Sequence, residues 1–76
     1  MKNRRVDGDK LRNIRIRAQL RQTQLATKVG IRPDTLCHIE AGRYQPGDLL
    51  AHRLAQALNC HVEEFIAAAE TSGAAA

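Results

Sequence analysis

Residues 22–41 read Gln22-Thr-Gln-Leu25-Ala26-Thr-Lys-Val29-Gly30-Ile31-Arg-Pro33-Asp-Thr-Leu36-Cys-His-Ile39-Glu40-Ala41. Leu25, Val29, Leu36 and Ile39 recur at helical spacing, so each half of the stretch has one apolar face. Ala26 is small where two crossing helices would touch. Gly30 sits where the first helix must end in a left-handed residue, a conformation that costs glycine little. Pro33 falls at the first position of the second helix, where its missing N–H costs nothing. Together these positions predict two short helices joined by a tight turn, the spacing of a helix-turn-helix unit that reads DNA.

Outward from this core, the rest of the chain predicts three more helices. Asp7 or Asp9 caps a first helix running to about Ala18, with Leu11, Ile14 and Ala18 on its inner face. Leu20 packs inward before the second helix, about 22–29, and the third runs from about 33 to 40. Residues 41–47 form a loop by their Gly and Pro content. A fourth helix, about 48–58, places Leu50, Leu54, Ala55 and Leu58 on one face, and Asn59 stops it. A fifth, about 62–69, carries Val62, Phe65 and Ile66. No segment alternates with period two, so no strand is expected. The expected organisation is a flexible basic N-terminus at 1–6, one all-α five-helix domain at 7–69 and a disordered tail at 70–76.

Seventy-six residues make one small domain, whose thin core supports on the order of 3–5 kcal/mol of stability. No apolar run approaches the roughly 20 residues that span a bilayer. The charged start, Met1-Lys-Asn-Arg-Arg5, is followed by no apolar segment, which argues against a secretory signal and for a cytoplasmic chain. Two cysteines in no paired spacing are expected as free thiols. Charge is unevenly placed. Residues 1–43 hold eleven Lys/Arg against four Asp/Glu, whereas residues 44–76 hold Arg53 against four acids. A basic half that carries the helix-turn-helix suits a polyanion.

The chain resembles the lambda-repressor-like, or Xre/Cro-type, helix-turn-helix domains over about Leu11 to Phe65. Leu11-Arg-Asn-Ile14-Arg15 is similar to the family's first helix and Leu20-Arg-Gln22-Thr-Gln-Leu25-Ala26 to its second. Gly30-Ile31 matches its turn, and Leu36-Cys-His-Ile39-Glu40-Ala-Gly42 its recognition helix and stop. Pro46 through Ala51, Leu54 through Leu58, and Val62-Glu-Glu-Phe65 match the closing helices. The resemblance implies a transcriptional regulator, more specifically a repressor, that binds double-stranded operator DNA as a homodimer; Leu49 on the outward side of the fourth helix and Ile66 place the dimer contact in the C-terminal helices. It implies a phosphate contact for Gln22, base-facing positions for Pro33, Asp34, Thr35 and His38, and a backbone contact for Arg43. It also implies an ion pair between Arg15 and Glu40.

The chain departs from the family at its helix caps. Arg21, Arg32 and His61 stand where Ser or Thr is usual, and none offers an oxygen to the first-turn N–H groups. At the start of the fourth helix, Gly47 and Asp48 replace the usual Ser and Leu. Arg21 and Arg32 are instead read as phosphate contacts, acting beside the helix dipoles. Pro33 and Asp34 replace hydrogen-bond donors on the recognition face. Two other classes stay open on sequence: the antitoxin of a toxin–antitoxin pair, and a protein-interaction module on the same fold without DNA binding.

No catalytic constellation, phosphate-cradling Gly loop or cofactor motif appears, so a non-enzymatic protein is expected. Cys37, His38, His52, Cys60 and His61 are ligand types, but they form no C-x2–4-C or H-x3–5-H pair, and no metal is expected. Cys37 is read as a small, partly buried cysteine.

Overall fold

The computed structural model describes residues 5–66. Four α-helices, α1 (Gly8–Arg17), α2 (Gln22–Val29), α3 (Pro33–Ala41) and α4 (Asp48–Ala57), are followed by a 3-10 turn, Val62–Phe65. All four helices end in the same way. Gln19, Gly30, Gly42 and Asn59 have φ of 61°, 78°, 81° and 57°. The next residue's N–H then reaches back five positions, from Leu20 to Arg15 O, Ile31 to Ala26 O, Arg43 to His38 O and Cys60 to Ala55 O, at 2.9–3.2 Å. This left-handed closure satisfies carbonyls that a helix end leaves unpaired.

Helix starts differ from one another. Asp7, not Asp9, caps α1: its Oδ1 accepts from the N–H groups of Asp9 (3.0 Å) and Lys10 (3.3 Å). Arg21 gives α2 no side-chain cap, but Gln24 Oε1 accepts from the Arg21 N–H at 2.8 Å. That is half of a capping box. Pro33 opens α3 as expected.

Leu11, Leu25, Leu36, Ile39, Leu54 and Phe65 form a fully buried centre, to which each helix and the 3-10 turn contribute. α3 packs on both α1 and α2, while α4 and the 3-10 turn close the remaining sides. Among the described residues no helix is long and apolar enough to cross a membrane.

Two expectations about the ends need correcting. The fifth helix is not an α-helix. It is one 3-10 turn, after which Ile66 is extended (φ −82°, ψ 137°). Positions 67–69 and the tail at 70–76 lie outside the described residues, as do positions 1–4. The folded unit also begins earlier than expected. Val6 is buried at 4 % exposure in the main core. One cause explains both differences. Val6 makes an isolated antiparallel bridge with Ile66, and the Asp7 N–H donates to Phe65 O at 2.7 Å. On its other side Val6 is held by the Gln45 amide, which accepts from its N–H (2.9 Å) and donates to its carbonyl (3.0 Å).

Gly8 allows α1 to start hard against the end of α3. A Cβ there would sit 2.6 Å from the Ile39 carbonyl oxygen and nearer still to that of Glu40. Both are backbone atoms that cannot swing aside. Gly8→Ala should therefore lower the unfolding free energy by about 2–3 kcal/mol, by the cost of overpacking. Urea titration followed by circular dichroism checks this; an unchanged midpoint would show that α1 and α3 sit further apart.

Candidate nucleic-acid interface

The residues expected to meet DNA fall on one stretch of chain from the start of α2 to the loop after α3. Arg21 and Arg32 are the N-cap residues of α2 and α3, both exposed, both in extended backbone and neither bonded to its helix through the side chain. The first-turn N–H groups of the two helices are therefore left without a side-chain cap, and each helix carries an exposed arginine at its N-cap. This combination of partial and full positive charge suits a phosphate.

Pro33 and Asp34 form the first two residues of α3 and are exposed. Asp34 puts a carboxylate in the first turn, where it complements the positive end of the helix dipole and offsets Arg32. Thr35 and His38 lie three residues apart, hence on one helix face. With Arg43 and Tyr44 they line a single open hollow. The structure thus brings Thr35, His38 and Arg43 together, with Thr35 next to Asp34 in the first turn of α3.

Gln22 is differently placed. Its amide is half-buried and donates to Glu40 Oε1 at 3.0 Å. Only the second hydrogen of that nitrogen is left for an outside acceptor. Glu40 in turn holds Arg15, whose Nε donates to Oε2 at 2.6 Å and Nη2 to Oε1 at 3.1 Å. Arg15 Nη1 donates to the Leu20 carbonyl at 2.8 Å. The ion pair implied by the family resemblance is present, and it joins α1, α3 and the start of α2.

Two residues at this face escaped the sequence reading. Tyr44, the only tyrosine in the chain, is 48 % exposed in the wall of the hollow. Its position just after the helix-stopping Gly42-Arg43 is the one signal that could have marked it. Gln45 fastens the same loop to Val6, and nothing local to its sequence announces a partner 39 positions away.

Cys37 is exposed on α3 rather than partly buried, while Cys60 is the half-buried one. Burial, with the Glu64 carboxylate nearby, pushes the Cys60 thiol up. Among the described residues no group of three or more His, Cys, Asp or Glu could hold a metal ion.

The helix-turn-helix family model matches residues 11–65. An HTH-type transcriptional regulator from Archaeoglobus fulgidus is 34% identical over 56 residues, covering 74% of this chain and 80% of the relative. Among solved structures, the restriction-modification controller protein C.AhdI from Aeromonas hydrophila is similar with a TM-score of 0.73. It is 28% identical, and the match covers 75% of this chain and 86% of that one. The DNA-binding domain of the P22 C2 repressor shares the fold, with a TM-score of 0.73 at 24% identity and 82% of each chain covered. On the match to residues 11–65, this chain belongs to the lambda-repressor-like, Xre/Cro-type helix-turn-helix family.

Proposed function

We infer that this protein binds double-stranded DNA and regulates transcription, laying α3 in the major groove and acting as a repressor by occupying its operator. The observation that carries this reading is the pair of arginine-bearing, side-chain-uncapped helix N-termini flanking the exposed face of α3. Arg21, Arg32, Arg43 and the second amide hydrogen of Gln22 supply the phosphate contacts. Pro33, Asp34, Thr35 and His38 face the base edges. Asp34 is the acceptor-only group in the set and matches a cytosine N4 amine. The curated relative, a transcriptional regulator, and the similar solved structure of a restriction-modification controller protein support the same function.

The regulator works as a homodimer joined through its C-terminal part. Leu49 on α4 is 70 % exposed, and Ile66 is only half-buried at the edge of the core. A two-fold axis there sets two copies of α3 one DNA turn apart, about 34 Å. Fluorescence polarisation with a labelled duplex from the DNA flanking its own gene tests the function. Tight binding that a scrambled duplex cannot compete away is the expected result, and equal affinity for both duplexes would sink the regulator reading. Sedimentation at tens of micromolar without DNA should show a dimer, and monomer alone would remove that part.

A further inference from the structure

The hollow between α3 and the following loop is built rather than incidental. Gly42, with φ of 81°, turns the chain back beside the helix it ends. The Arg43 N–H is then fixed to His38 O at 2.9 Å. Two residues later the Gln45 amide is pinned to both backbone groups of Val6, and Pro46 is buried. Tyr44 is held between these anchors with its ring half-exposed. It is walled in with Thr35, His38 and Arg43, and the surface they enclose is mostly carbon. Ile16 and Leu49, the other large apolar residues exposed among the described residues, do not line this hollow.

We propose that the Thr35–His38–Arg43–Tyr44 hollow receives the 5-methyl group of a thymine, with Tyr44 as the specificity-determining residue. The proposal rests on the DNA-binding reading above and names what one part of that face selects. The major-groove edge of a duplex carries one projecting apolar group, the thymine methyl, whereas cytosine presents a polar amine at its own edge. An apolar hollow on the outer face of the recognition helix discriminates between the two. Arg43, a cation among the lining residues, holds a backbone phosphate in this reading and so fixes the depth to which the base edge enters. Thr35, also in the lining, carries a methyl as well as a hydroxyl.

The test uses a duplex selected from a randomised pool by the full chain, then resynthesised with deoxyuridine replacing each thymine in turn. That exchange deletes one methyl and nothing else. In each half-site one thymine should matter, its loss weakening binding by the parent about fourfold, the worth of one buried methyl-sized group. Tyr44→Phe should keep that ratio. Tyr44→Ala, whose substitution lies outside the core, should bring it to one, measured at low salt where backbone contacts sustain binding. If no thymine is sensitive in the parent, or if the same thymine is equally sensitive in Tyr44→Ala, the hollow does not read the methyl, while DNA binding itself stands. If no duplex is enriched from the pool, it is the regulator reading that falls, and this proposal with it.

Discussion

Replacing Glu40 with alanine should leave about half of the protein unfolded at 25 °C. The Glu40 and Arg15 side chains are 3 % and 10 % exposed, so the pair is removed from water. One carboxylate takes two bonds from Arg15 and one from Gln22. Deleting it strands a buried guanidinium with only the Leu20 carbonyl as partner. Breaking a buried pair in this way costs about 3–5 kcal/mol. A domain of this size has roughly 3–5 kcal/mol in total. The two magnitudes are equal, which is why unfolding rather than a modest shift is expected. Replacing both partners together, Arg15→Met with Glu40→Leu, should recover most of the loss, because no charge is then left buried. Thermal melts of the two variants beside the parent make the comparison. A Glu40→Ala melt within a few degrees of the parent would mean that water reaches the pair in solution.

How much of this was legible in the sequence depends on the distance between partners. The helix-turn-helix was readable because its signals are local. Gly30, Pro33 and the spacing of Leu25, Val29, Leu36 and Ile39 each act within a turn or two. Asn59 was readable as a stop because asparagine tolerates the left-handed conformation it adopts. Gln19 adopts the same conformation with no such bias, so the end of α1 carried no comparable mark. The half-box formed by Gln24 was a local signal that went unread, because its partner at the cap is Arg21 rather than Ser or Thr. Val6, Gly8 and Gln45 could not be found by periodicity. Their roles come from atoms some thirty to sixty positions away: Ile66 for Val6, the α3 carbonyls for Gly8, and Val6 for Gln45. The same bridge to Val6 holds Ile66 extended, against the helical spacing of its own neighbourhood. At the candidate interface, the positions on α3 followed from the motif and the family resemblance. The enclosure of Tyr44 did not, because it depends on how the loop folds back.

The affinity of the protein for duplex DNA should fall by about 10³–10⁵ between 50 and 200 mM salt, if the dimer neutralises roughly 6–10 phosphates. Residues 1–43 carry eleven Lys/Arg against four acids, and the arginines at the two helix starts belong to that half. Each released counterion enters the logarithmic salt slope, so the slope counts phosphate contacts directly. Arg21→Ser and Arg32→Ser should each reduce its magnitude by about two in a dimer, one per protomer. The same substitutions should make the free protein more stable, by about 1 kcal/mol each. Serine supplies the missing oxygen to a first-turn N–H and removes a cation from the positive end of a helix. Weaker binding combined with a higher melting temperature separates a phosphate-binding arginine from one that merely sits at the surface. An arginine present only as a weak cap would give the higher melting temperature with an unchanged slope. An arginine that supports the fold would give a lower one. The opposed signs follow from a single arrangement, in which helix ends left uncapped within the protein wait for anions outside it.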